Sequence, residues 1–325
     1  MIYTFFLYSG KMEIASNIDL SEFSFLLETA VRNPKRLKNL FASKMLSTSN
    51  GFTIRIHILR SDGNDRPDVG NLVQTLAAST LEYCIPRRQI LDAQKKQKRD
   101  NSHLELMILH NKAREMFNDL KQSGEGGELL LFLLSETVLG YPQLVSKMSL
   151  KTSHKIHYQG LDGIFVSVSS DTKKLRLHFG ESKLHKSFAG SIRECIESIS
   201  PFLKDQGCMD KGNRDLYIVN TYPDLGDETL TTAFKNFLDP SHEDYQSPEV
   251  CAVLLAGFNV DNYPVLRANK EIDKEILDSI NLNLTAIDQR ISNAGIEQFY
   301  MDFFLLPFPC IDDFRAKLRS ILGFS

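Results

Sequence analysis

Three side chains within one short stretch have the types and spacing to hold a divalent cation and act beside it. Asp162 lies in Gly160-Leu161-Asp162-Gly163, and Glu181 and Lys183 lie in Glu181-Ser182-Lys183. Two carboxylates can share a hard cation such as Mg²⁺, which needs only one or two of them and takes waters and phosphate oxygens for the rest. Such a cation polarises a phosphoryl oxygen and acidifies a bound water. A lysine alongside can stabilise charge growing on the phosphate or position the attacking water.

The elements that must carry these residues form a hairpin. Ile164-Phe165-Val166-Ser167-Val168 and Leu175-Arg176-Leu177-His178-Phe179 have strand composition, and Ser169 to Lys173 between them is rich in turn formers. With Asp171-Thr172 at the centre, facing residues have numbers summing to 343, which sets Asp162 opposite Glu181. Cβ atoms of facing residues lie about 4.5–5.5 Å apart. Alternation along a strand puts Glu181 and Lys183 on one face, and a slip of one residue would undo the arrangement.

A further acid is expected from the preceding helix. Gly124-Glu125-Gly126-Gly127-Glu128 leads into Leu129 to Leu134 and then Ser135-Glu136. At about 100° per residue, Glu125, Glu128 and Glu136 share one stripe. Acids on so apolar a helix need a partner. Glu128 is the preferred site residue, with Glu125 and Glu136 as alternatives.

In this order, a helix Glu, then Gly-x-Asp, then Glu-x-Lys, the stretch resembles the PD-(D/E)xK nuclease superfamily. The wider wording from Gly124 through Gly160-Leu161-Asp162-Gly163 to Gly180-Glu181-Ser182-Lys183 resembles the effector nucleases of the Hachiman anti-phage system. The resemblance covers about residues 120–205. The helix that follows lacks the Gln-x-x-x-Tyr of some exonuclease branches. The resemblance implies an α/β fold: a restriction-endonuclease-like core whose mixed sheet is flanked by helices. It implies a largely sequence-non-specific deoxyribonuclease using Mg²⁺, with Mn²⁺ as a substitute. Asp162, Glu181 and Glu128 would bind the metal, and Lys183 would join them in catalysis. It also implies a HamB-like superfamily-2 helicase as partner in a hetero-complex on DNA. The alternative is a nuclease-fold adaptor that binds a helicase or DNA without catalysis.

Composition bounds the rest. The chain has 325 residues, 42% hydrophobic, with a net charge of −3, so the whole molecule is not a basic nucleic-acid binder. Between Lys147 and Lys186, however, there are eight Lys/Arg and three acids, the bias a phosphodiester substrate favours. The five cysteines are far apart with no Cys-x-x-Cys, which argues against zinc. The odd count and the lack of a secretory leader suggest a cytoplasmic protein. No apolar run reaches membrane-spanning length. There is no Gly-x-x-x-x-Gly-Lys-Ser/Thr, no His-Glu-x-x-His and no Gly-x-Ser-x-Gly. Of the histidines, His154, His157, His178 and His185 lie near the motif, and one could shuttle a proton.

Along the chain, Ile2 to Tyr8 reads as a buried strand, and Phe23 to Met45 as helical with a break near Pro34. Thr53 to Leu59 alternates as a strand. A helix is expected from Val69 to Cys84, and a long polar helix or helix pair from Arg87 to Lys121. The Lys95 to Arg99 cluster there is either a solvated face or a contact to DNA or a partner. Phe188 to Leu203 is an amphipathic helix whose N-terminus could assist phosphate binding. Asp215 to Asn220 and Val250 to Phe258 read as strands, Glu228 to Leu238 and Glu271 to Ala294 as helices. Phe299 to Leu306 reads as a strand broken by Pro307 and Pro309, and Ile311 to Leu322 as the closing helix. Strands alternating with helices give α/β layers. Residues 1–120 are expected as an N-terminal mixed α+β region contacting partner or DNA, and 121–325 as the nuclease-like domain.

Overall fold

A computed structural model describes residues 18–117, 124–151, 160–204, 212–267, 272 and 274–323. The expected strand at Ile2 to Tyr8, as well as His154 and His157, lies outside the described residues. The helices are α1 (Leu20–Leu26), α2 (Pro34–Leu40), α3 (Val69–Ala78), α4 (Thr80–Cys84), α5 (Arg87–Asp100), α6 (Leu104–Glu115) and α7 (Glu125–Leu134), then α8 (Lys147–Lys151), α9 (Phe188–Lys204), α10 (Gly212–Thr221), α11 (Glu228–Leu238), α12 (Lys274–Ala294) and α13 (Ile311–Leu322). A π turn, Ser135–Leu139, follows α7 directly.

The strands are β1 (Phe41–Ser47), β2 (Thr53–Leu59), β3 (Gly163–Val168), β4 (Leu175–His185), β5 (Glu249–Asn259) and β6 (Tyr300–Phe308). They form one six-stranded mixed sheet in the order β1-β2-β6-β5-β4-β3. The central pairs β2·β6, β6·β5 and β5·β4 are parallel, and the two outer pairs are antiparallel. Helices cover both faces. Ile54, Ile56, Ile58, Leu177, Phe179, Leu254 and Leu305 pack in one core with Ile192 and Ile199 of α9. Val253, Leu255, Phe304 and Leu306 pack in the other with α7 and α13. The sheet crosses residue 120: β1 and β2 come from the N-terminal region and are held by β6 from the C-terminal one.

Several elements differ from the sequence reading. Phe41 to Ser47 is strand, not helix, because antiparallel pairing with β2 outweighs local helical spacing. Asp215 to Asn220 is not a strand but part of α10, which sends Ile218 and Val219 into the core. The Val69 to Cys84 helix bends at Ser79 into α3 and α4. Asn101, left-handed at φ 49°, divides α5 from α6. Strand β6 runs through Pro307, which pairs with Phe258. The proline is tolerated because β2 pairs with β6 only from Asp302 to Leu305, so no neighbour needs its missing N–H.

Candidate active site

The hairpin has the expected register: Gly163 faces Gly180 and Val168 faces Leu175. One step beyond, the Asp162 N–H donates to the Gly180 carbonyl at 2.9 Å. Asp162 therefore sits at the start of β3 against the Gly180-Glu181 segment of β4. Glu181 and Lys183 lie on the part of β4 paired with Leu254 and Ala256. This is the C-terminal half of β4, alongside the middle of β5.

Each acid accepts at least one hydrogen bond that fixes its carboxylate. Asp162 Oδ2 accepts from the Ser182 N–H at 2.8 Å and the Ser182 hydroxyl at 2.6 Å. Glu181 is buried, and its Oε1 accepts from Lys183 Nζ at 2.6 Å and the Ser198 hydroxyl of α9 at 2.8 Å. Glu128 Oε2 accepts from the Tyr83 hydroxyl of α4 at 2.9 Å.

The electrostatics tie these groups together. Burial, and then the charges of Glu128 and Glu181, push the Asp162 carboxyl well above the ordinary range; the charge of Lys147 and the Ser182 hydrogen bond oppose them. Lys183 is partly buried, which pulls its ammonium down, but Glu181 and Asp162 outweigh this and its pKa is raised. Burial and the Glu128 charge keep the Tyr83 phenol protonated. Lys147 at the start of α8 is buried, an unusual place for a lysine without acids nearby.

Of the three candidate helix acids, Glu128 is the one whose charge acts on Asp162. Glu125 is also buried in the first turn of α7. Glu136 serves elsewhere: its Oε2 accepts from the Val31 N–H at 2.8 Å and its Oε1 from the Gln143 N–H at 3.0 Å. A shared angular stripe did not mean shared position, since eight residues of helix separate Glu128 and Glu136 by about 12 Å along the axis. The π turn then redirects the chain.

His178 is not a shuttle for this site. It points to the opposite face of β4 from Glu181, stacks on Tyr141 at 4.1 Å and bonds Ser167. Burial and Arg176 lower its pKa to about 3, so it stays neutral. His185 shares the Glu181 face and bonds Ser187 at the entry to α9. The local excess of cations is partly consumed: Arg176 and Lys174 pair with Glu249, and Lys186 pairs with Asp312. On α5 and α6, Lys95, Lys96 and Arg99 pair with Asp92, Glu105 and Asp100, as a solvated helix face does.

The residues fit a hard divalent cation in donor chemistry. All three acids offer oxygen, and Asp162 is acted on by the like charges of Glu128 and Glu181, a repulsion that an added positive charge would relieve. Among the described residues no three His, Cys, Asp or Glu side chains are grouped so that they could together hold a metal ion. A two-carboxylate site completed by water and phosphate needs no such group. The sequence reading missed Tyr83, Lys147 and Ser198. Nothing in the local spacing of these helical residues marks them; only the tertiary packing brings them to the acids.

Fold and site together define a mixed α/β protein with a cluster of buried and half-buried acids and lysines on and beside the β3–β4 hairpin. The HamA family model matches residues 35–322, and the chain belongs to the HamA family. That makes it a component of the Hachiman defence system. No curated protein matches the sequence. Among the described residues no helix is long and apolar enough to cross a membrane.

Proposed function

We propose that this chain is the nuclease effector of its defence system: a metal-dependent deoxyribonuclease with a PD-(D/E)xK core, largely indifferent to base sequence. The observation that carries the reading is the hairpin register, which sets Asp162 against the strand that bears Glu181 and Lys183. Asp162 and Glu181 would hold Mg²⁺, with Glu128 completing or orienting the site; Mn²⁺ would substitute. The bound cation supplies Lewis-acid polarisation and a more acidic water. Lys183, already charged and one-third exposed, is placed to stabilise negative charge on the phosphate or to orient the attacking water. Contacts to phosphate carry no sequence information directly, which supports weak base preference.

A HamB-like superfamily-2 helicase would control the activity and supply DNA affinity, in keeping with the modest basic surface left after local pairing. In this reading residues 1–120, apart from what they give to the sheet and the site, form the partner- or DNA-contacting region, and residues 121–325 carry the nuclease motif.

The test is incubation of the purified chain with supercoiled and linear plasmid, in Mg²⁺ or EDTA, with and without the helicase. Glu181→Ala and Lys183→Ala are run alongside. Metal-dependent cleavage lost in both variants supports the site, and cleavage that survives both refutes it. The direct ion pair of Lys183 with Glu181 at 2.6 Å, which satisfies that acid without a cation, favours a second reading, a non-catalytic nuclease-fold adaptor. An adaptor would show no cleavage in any combination and no Mg²⁺ thermal shift that depends on Asp162.

A further inference from the structure

Each acid of the candidate site meets a neutral hydroxyl from a different element. Tyr83 of α4 donates to Glu128 at 2.9 Å, Ser182 of β4 to Asp162 at 2.6 Å, and Ser198 of α9 to Glu181 at 2.8 Å. We propose that these three hydroxyls are positioning residues that orient the acids for a divalent cation, with Tyr83 the decisive member. The inference rests on the metal-site reading above and deepens it.

Tyr83 carries the argument furthest. Its side chain is fully buried, with Phe132 at 5.4 Å and Phe117 at 6.1 Å between ring centroids. Leu129 to Leu134 of α7 are all buried and apolar, so a glutamate at 128 works against packing and needs a reason. A phenol fixes one carboxylate oxygen through a neutral hydrogen bond and adds no charge of its own, which suits a group that orients a metal ligand from behind. The tyrosine's backbone is itself fixed: the Ser146 hydroxyl donates to the Tyr83 carbonyl at 3.1 Å and the Cys84 carbonyl at 2.5 Å. The serines follow the same logic. Ser182 holds Asp162 through backbone and side chain together, and Ser198 holds the Glu181 oxygen that Lys183 also uses.

The experiment is calorimetric titration of the full chain with Mn²⁺ at fixed pH. It compares wild type, Tyr83→Phe, Ser182→Ala, Ser198→Ala and Phe132→Leu, with a melting curve for each. Tyr83→Phe keeps the ring and removes the hydroxyl, and should raise the Mn²⁺ Kd by about 10- to 100-fold. The serine variants should raise it less. Phe132→Leu disturbs the packing around Tyr83 without touching an acid, so it should lower Tm and leave Kd unchanged. A Tyr83→Phe protein that binds Mn²⁺ like wild type overturns the inference, as does Phe132→Leu weakening Mn²⁺ as much as Tyr83→Phe.

A second measurement needs no Tyr83 variant to fold. The chain has no tryptophan, so its near-ultraviolet spectrum reports tyrosine. Mn²⁺ acting on Glu128 should give a tyrosine difference band in wild type that Glu128→Gln abolishes; no band, or a band that persists in Glu128→Gln, overturns the proposal. A wild-type chain that binds no Mn²⁺ sinks the metal reading itself, and this inference with it. Binding that requires Asp162 and Glu181 but ignores Tyr83 sinks the inference alone.

Discussion

Gly127 passes so close to Ser182 that a Cβ on it would stand 3.0 Å from the Ser182 hydroxyl oxygen and 3.3 Å from Cγ of Leu184. This is the point where α7 crosses β4, and it sets Glu128, the next residue, beside the hairpin. The same serine holds Asp162. Gly127→Ala should be nearly neutral, because better helix propensity offsets a shift of a few tenths of an ångström. Gly127→Val should cost about 1–3 kcal/mol by overpacking and reduce cleavage about 100-fold by moving the acids apart. Chemical denaturation and plasmid assays on the two variants check this, and a fully active Gly127→Val would refute it.

Strand β6 pairs with β2 through Asp302 to Leu305, and Tyr83 reaches Glu128 from α4. A fragment of residues 121–325 would therefore expose one side of β6, a row of unpaired backbone groups flanked by Phe303 and Phe304. It would also lack Tyr83. The expected outcome is aggregation or a non-cooperative melt, read by gel filtration and circular dichroism. A monomeric fragment with a sharp transition would show that the C-terminal region folds by itself.

The hairpin was legible because its information is local. Ten residues of strand composition and a short polar turn fix the register, and the register fixes which acids face each other. Glu128 was legible because a carboxylate on an apolar helix demands a partner. Tyr83 and Lys147 were not, since a tyrosine or lysine in a helix has many ordinary explanations and the partner is distant in sequence. The same limit explains Phe41 to Ser47 and α10. Their own residues tolerate helix or strand, and only the available neighbours, β2 in one case and α9 in the other, decide the outcome.

Lys147 is almost fully buried, and its charge is among the influences that hold the Asp162 proton affinity down. Removing that charge should leave the acids under-compensated. Lys147→Met is expected to destabilise the metal-free protein by about 3–5 kcal/mol, the range for leaving buried charge uncompensated. Mg²⁺ should restore more of the melting temperature in the variant than in wild type, because the cation replaces part of the lost charge. Melting curves in EDTA and in Mg²⁺ test this. Equal metal-induced shifts in the two proteins would detach Lys147 from the site.

Glu136 gives a pH signature separate from the candidate metal site. Its carboxyl is buried, and that burial raises its pKa from 4.5 to about 7, against the opposing hydrogen bonds from Gln143 and Val31 and the charge of Arg87. The folded state therefore keeps a proton that the unfolded chain releases. Stability is unaffected below the unfolded pKa, falls as pH rises through the window from 4.5 to about 7, and levels off above it. The total loss should be roughly 3 kcal/mol at 1.36 kcal/mol per unit. Glu136→Gln cannot ionise, so it should lack this component of the slope. Its amide NH2 would also face one of the two backbone N–H donors of Val31 and Gln143, so its absolute stability at low pH should be lower. Denaturant midpoints from pH 4.5 to 8 should thus show the variant less stable than wild type in acid and gaining on it as pH rises. Parallel curves would mean that Glu136 ionises in the fold as it does in the unfolded chain, its charge satisfied by the two backbone donors that hold the α1–α2 connection and Gln143 against the π turn.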